Sequence, residues 1–273
     1  MNRPISFSII FAALFHAACS VPEPVDTRGT IVPEVSDSRF DSYMQEMVEK
    51  EHFTGVALIM WEGKVIHAKG YGAATGNRAN DVDTKFHVGS ITKQFTAAAI
   101  MQLVEKGVVK LDDSINGYLP RKYRSKKWDA VTGHHLLSHT SGITDYAVAR
   151  DYYDVVKGFC LGDTVDGMVK EAMPKDLEFV PGSKYSYTNL GYTLLGVVIE
   201  NQTNTSYDQY IKDNILDPMG MMSSKIHILG HVPAEDEAEG FRYREEQGGH
   251  APDDVVALPA TAPDGGLVTT LGD

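Results

Sequence analysis

Ser90 and Lys93 stand three residues apart in the run Gly89-Ser90-Ile91-Thr92-Lys93. At that spacing a helix puts both side chains on one face, so the amine reaches the hydroxyl. A serine hydroxyl is a poor nucleophile until a base takes its proton. An amine can be that base only where desolvation or a neighbouring cation favours its neutral form. Further along, Tyr187 and Asn189 are spaced by one residue. A phenol can accept a proton or relay one to a leaving group. On an extended segment Asn189 points to the same side, where its amide can bond Lys93 or a substrate amide. The spacing does not choose between lysine and tyrosine as the base.

These four residues need elements to hold them. The apolar run from Phe95 to Met101 predicts a helix over Ile91 to Lys106, stopped by Gly107 and buried because it is apolar nearly all round. Such a helix supplies the desolvation, and its N-terminus places a positive dipole end at the serine. Upstream, Val56 to Trp61 and Lys64 to Ala68 read as strands joined through Glu62-Gly63 in a tight hairpin. A helix is predicted from about Ser38, with Phe40, Tyr43, Met44, Met47 and Val48 on one face. Thr132 caps a short helix through His139, and Thr164 opens another that ends before Pro174. Leu190 to Glu200 is apolar on most faces, and Ser206 with Gln209 reads as a capping box for the helix after it.

Composition removes whole classes of function. With 42% hydrophobic residues the 273-residue chain has material for a packed core and is not disordered. Cys19 and Cys160 are too few and too far apart for a disulfide scaffold. A formal charge of -12 argues against a nucleic-acid partner, and the basic run Arg121 to Lys127 reads as a solvated surface loop. Gly70, Gly72 and Gly76 do not make a nucleotide loop, because the polar segment after them does not open a helix. His135 and His139 share a helical face, but neither the Glu of a His-Glu-x-x-His site nor a third ligand accompanies them. They read as packing or capping histidines, so neither a metal nor another cofactor is expected. No Gly-x-Ser-x-Gly elbow is present, which excludes an α/β-hydrolase. Cys160 reads as a buried thiol.

Residues 1–19 carry a positive Arg3, an apolar stretch from Ile5 to Phe15 and small residues before Cys19, the pattern of a cleaved leader. Lipidation at Cys19 and simple cleavage both fit. The protein is therefore expected to be exported, to the periplasm, to a lipid anchor at Cys19 or to the medium. Residues 20–37, with Pro22, Pro24 and Pro33, read as a tether, and 38–273 as the fold.

The stretch Asp83 to Ala97 around Ser90 resembles the active-site serine segment of the serine β-lactamase and penicillin-binding protein superfamily. The class C-like branch, which also holds esterases and D-amino-acid peptidases, is the most similar. Leu136 to Ile143 resembles a second signature of that branch, Tyr185 to Tyr192 its Tyr-x-Asn element, and Tyr207 to Met221 the helix and turn that follow. The resemblance implies an α/β (α+β) fold with an antiparallel sheet flanked by helices. It also implies an acyl-enzyme on Ser90, Lys93 and Tyr187 as the proton-moving residues, and Asn189 as a substrate-binding residue. The substrate would be a small molecule or peptide: a β-lactam, a D-amino-acid peptide or an ester. A non-catalytic exported binding or tethering module is the other reading. The family's Lys-Thr-Gly or His-x-Gly strand has no counterpart before Asp273, since His87-Val88-Gly89 directly precedes the serine. By resemblance, 38–273 is thus a partial domain in which three of five sheet strands, the last helix and one oxyanion-hole amide are missing. Losing one such donor typically costs ~10²–10³ in rate.

Overall fold

The computed structural model describes residues 34–76, 78–146, 165–227, 234–244, 249–252 and 262–273. The leader with Cys19, the tether up to residue 33, Cys160 and the Thr164 helix start lie outside the described residues. Val35, near the end of the segment read as tether, bridges Ala68 through a pair of backbone hydrogen bonds of 3.0 and 2.8 Å. Asp37 then caps helix α1 (Ser38–Glu51), its carboxylate accepting the Arg39 N–H at 3.0 Å. Strands β1 (Gly55–Trp61) and β2 (Lys64–Tyr71) follow as an antiparallel hairpin. Its two-residue turn, Glu62-Gly63, has positive φ at both positions (49° and 74°), the geometry that matches the twist of the strands it joins.

The next short strands are β3 (Ala73–Thr75), β4 (Arg78–Ala79) and β5 (Phe86–His87). A 3₁₀ turn at Gly89–Ile91 runs into α2 (Thr92–Glu105). Helices α3 (Gly133–Leu137), α4 (Val165–Ala172), α5 (Asn189–Thr203) and α6 (Tyr207–Ile211) come after it. Strands β6 (Lys225–Ile226), β7 (Phe241–Arg244) and β8 (Gly249–Pro252), helix α7 (Ala262–Gly265) and strand β9 (Leu267–Thr269) complete the order. The fold is the expected mixture of helices with short antiparallel strands. Among the described residues the strands form four small sheets rather than one, and β9 is the middle strand of the largest, between β5 and β6.

The central element is α5, in which all ten residues from Leu190 to Ile199 are buried. Helices α2, α3, α4, α6 and α7 pack around it. Helix α2 corrects its sequence reading. It buries one stripe, Thr92, Lys93, Thr96, Ala99, Ile100 and Leu103, while Ile91 and Met101 are exposed. Apolar content alone therefore overstated its burial: only one face meets α5 and α7. Three of its six buried residues are polar, and each has partners. The capping box read at Ser206 and Gln209 is also not formed. Glu200 of α5 takes the Tyr207 N–H at 3.0 Å instead, and Gln209 donates to Asp213 at 2.7 Å. The basic run from Arg121 keeps its lysines at the surface, with Lys122 on Asp166 and Lys127 on Asp176, while Tyr123 and Trp128 anchor it in the core.

Helix α7 is fastened to α5 and α2 by close approach. A Cβ on Gly196 would lie 2.1 Å from Pro263 Cγ, so only glycine lets the two backbones come this near. Thr96 Oγ1 donates to the Pro263 carbonyl at 2.6 Å and shares a hydrogen bond of the same length with Tyr207 OH. The next side chain, Asp264, is buried and accepts hydrogen bonds from Tyr146 OH (2.5 Å) and Thr193 Oγ1 (3.2 Å). Burial pushes its carboxyl up to about 6, against the opposing pull of the Tyr146 hydroxyl and the Lys93 charge.

Two outcomes are expected. Gly196→Ala should lose about 1–3 kcal/mol, the usual cost of forcing atoms into a packed core; unchanged urea unfolding would show that α7 moves aside freely. The second concerns acid. Folded Asp264 takes up its proton near 6, whereas the unfolded carboxyl does so near ~3.9, so the folded state binds the extra proton between them. Relative to Asp264→Asn, the native chain should therefore gain stability as pH falls through 6 towards 4. Urea midpoints of both proteins at pH 7.5 and 5 measure this, and a gap that stays constant refutes it.

Candidate active site

The turn that carries Ser90 is held from both sides. Gly89 adopts φ 53°, which lets the chain leave β5 and enter the 3₁₀ turn. Thr92 Oγ1 donates to the Gly89 carbonyl at 2.7 Å and accepts the Leu267 N–H at 2.9 Å. Val88 N–H in turn donates to the Leu267 carbonyl at 3.0 Å. Strand β9 thus fixes the loop before the serine, and Ser90 itself stands exposed at its crest.

Lys93 lies one turn on, only 7% exposed. Its amine donates to Ser90 Oγ at 3.0 Å, Asn189 Oδ1 at 2.9 Å and the Asp264 main-chain carbonyl at 2.8 Å. Three donors meet three acceptors, which is what a buried amine requires. Tyr187 approaches from the other side, and its hydroxyl donates to Ser90 Oγ at 2.8 Å. The structure therefore brings all four sequence-predicted residues together: Ser90, Lys93, Tyr187 and Asn189. One local reading changes. Asn189 is the first residue of α5 rather than part of an extended strand, with Thr188 in the capping position between it and Tyr187.

Tyr187 is positioned by the second signature stretch. His139, just past α3, has φ 56°, and its carbonyl accepts the Ser186 N–H at 2.9 Å while its Nδ1 faces the Thr188 N–H at 3.3 Å. The imidazole stacks on the Tyr187 ring at 4.3 Å between centroids, with Tyr192 against it at 5.2 Å. Burial, then the nearby Lys93 charge, hold the His139 proton affinity below its ordinary value, so a neutral ring faces the phenol. His135 goes a different way. Its ring Nδ1 accepts the Thr132 N–H while Thr132 Oγ1 accepts the His135 N–H, a reciprocal cap on α3. The two histidines that share a spacing in sequence thus serve two separate structural ends.

Three carboxyl and hydroxyl groups close to the site escaped sequence reasoning. Asp145 accepts Asn189 Nδ2 at 3.2 Å and the Leu190 N–H at 3.3 Å. Asp264 and Tyr146 form the buried pair behind Lys93. Asp145 and Tyr146 follow directly on Ser141-Gly142-Ile143-Thr144, and Asp264 directly precedes Gly265-Gly266. Proximity to glycine turns was the only signal available. Chemically, the arrangement offers a hydroxyl oxygen contacted by two groups able to exchange protons, at the surface end of a polar cluster whose other end is buried.

The chain is similar to several known proteins. Penicillin-binding protein 4* of Bacillus subtilis (strain 168) is 34% identical over 182 residues, which is 66% of this chain and 39% of that protein. The octameric penicillin-binding protein homologue from Pyrococcus abyssi matches with a TM-score of 0.71 at 33% identity, covering 85% of this chain and 53% of that one. A class C β-lactamase shares the fold with a TM-score of 0.67 at 23% identity, over 84% of this chain and 60% of its own. The chain thus spans about two fifths of the length of the Bacillus relative. The Beta-lactamase family model matches residues 40–273, and the chain belongs to that family, which includes serine hydrolases.

Proposed function

We propose that this chain carries the acylating site of a serine hydrolase acting on a lactam, a D-amino-acid peptide or an ester. The observation that carries the reading is Ser90 Oγ, exposed to solvent and contacted at once by Lys93 Nζ (3.0 Å) and Tyr187 OH (2.8 Å). As oriented, both groups donate to Oγ. For attack, one of them first gives up a proton to solvent, leaving a neutral Lys93 amine or a Tyr187 phenolate, and that base takes the serine proton while Oγ adds to the substrate carbonyl carbon. The tetrahedral intermediate then collapses to an acyl-Ser90 ester, and the leaving nitrogen or oxygen takes a proton from the same pair of groups. Water attacks the ester by the reverse proton path and regenerates Ser90. Asn189 keeps Lys93 aligned and offers its amide beside the bound carbonyl compound. The proposal includes export, supported by the leader pattern of residues 1–19, with Cys19 as the position for a lipid anchor.

The name of the Bacillus relative supports a penicillin as the first probe. Incubated with a fluorescent penicillin or a fluorophosphonate, the native chain should gain one covalent label on Ser90, seen by intact mass and peptide mapping. Ser90→Ala should take up none. Tyr187→Phe, which keeps the stack on His139 but removes the hydroxyl, should slow labelling by about 10²–10⁴-fold. A folded native chain that neither probe labels would favour the binding-module reading and sink this one.

A further inference from the structure

Lys93 stays on Ser90 only if the Asn189 amide is the right way round. A side-chain amide has an oxygen at one end and two N–H donors at the other. Turned over, Asn189 would set its N–H groups against the Lys93 amine, and one of that amine's three acceptors would be lost. Nothing about asparagine itself selects the orientation.

We infer that Asp145 is a positioning residue whose carboxylate fixes the Asn189 amide with its oxygen toward Lys93. The inference rests on the reading of Ser90 as the nucleophile. A carboxylate only accepts hydrogen bonds, so its Oδ2, 3.2 Å from Asn189 Nδ2, tolerates the donor end of the amide and repels the oxygen end. Its other oxygen accepts the Leu190 N–H at 3.3 Å, in the first turn of α5. That turn has no cap of its own, because the buried Thr188 Oγ1 makes no hydrogen bond and Thr188 gives no side-chain cap. Asp145 therefore anchors on the helix backbone and aims at the first side chain of that same helix. The chain of contacts runs from Asp145 through Asn189 to Lys93 and Ser90, with each donor facing an acceptor. The other groups around it are Tyr146, its neighbour in sequence, and His139 beyond α3 and Asp264 on α7, both of which feel its charge.

The test uses labelling of Ser90 by a fluorescent penicillin, with thermal melting measured on the same samples. Asp145→Ala should slow labelling about 10-fold or more while the protein remains folded. Asp145→Asn serves equally if the alanine variant does not fold: an amide at 145 offers both an oxygen and an N–H, so it accepts either orientation of Asn189 and labelling should again slow. Combination with Asn189→Asp isolates orientation. A carboxylate at 189 presents an oxygen to Lys93 either way, so in that background Asp145→Ala should leave labelling unchanged or faster, the second carboxylate having been removed. A helix-capping role alone predicts an equal loss of melting temperature in both backgrounds and no specific loss of labelling rate. Labelling of Asp145→Ala at the native rate, or the same fold-loss in both backgrounds, overturns the inference. If the native chain is not labelled at all, the Ser90 reading falls by itself. Melting then judges the clamp: non-additive effects at 145 and 189 support it, and additive effects overturn it.

Discussion

A lysine amine buried at 7% exposure has to find an acceptor for each donor, because an unpartnered polar group in the interior costs roughly 2–7 kcal/mol. Lys93 meets that demand with three oxygens, one local and two from distant parts of the chain: Ser90 one turn before it, Asn189 at the start of α5, and the carbonyl of Asp264 in α7. Each acceptor has to be delivered by its own element. The requirement ties α2, α5 and α7 to one point, and most of the polar contacts behind the site follow from it.

The supporting contacts are of two kinds. Backbone approach sets the coarse positions, as where Pro263 lies on Gly196 and where β9 pairs with the strand leading to Ser90. Hydrogen bonds from threonine and tyrosine hydroxyls set the fine ones: Thr92 on Gly89 and Leu267, Thr96 on Pro263, Tyr146 and Thr193 on Asp264. Hydroxyls suit this work because they donate and accept with a short side chain that loses little freedom on ordering. The aromatic layer of Tyr187, His139 and Tyr192 does the equivalent on the solvent side. There a neutral imidazole stacks under a phenol that is 43% exposed.

Legibility in the sequence followed the range of each interaction. The hairpin was readable because Glu62-Gly63 sits between two apolar runs, and a turn of that length closes locally. Helix α5 was readable because ten consecutive residues are buried, and burial on every side leaves a run that is apolar on most faces. Helix α2 was misjudged for the same reason in reverse. Ile91 just before it and Met101 within it are exposed yet apolar, and its buried Thr92, Lys93 and Thr96 are polar. The cap at Ser206 failed because Glu200, seven residues from the N–H it accepts, outcompetes a local serine.

The identities of Ser90, Lys93, Tyr187 and Asn189 were present in the sequence by itself. Two short spacings suggest them, and the resemblance of the stretches around Ser90 and Tyr187 to the serine β-lactamase and penicillin-binding protein superfamily singles them out. That the two pairs meet, across 97 residues between Ser90 and Tyr187, was decided by tertiary structure alone. So were the roles of Asp145, Tyr146 and Asp264. An isolated carboxyl beside a glycine turn looks like surface until the packing of another helix covers it, and no local pattern marks a partner that arrives from 44 or 118 residues away. Covalent neighbours fix which groups can react, and only the folded core fixes which way they face.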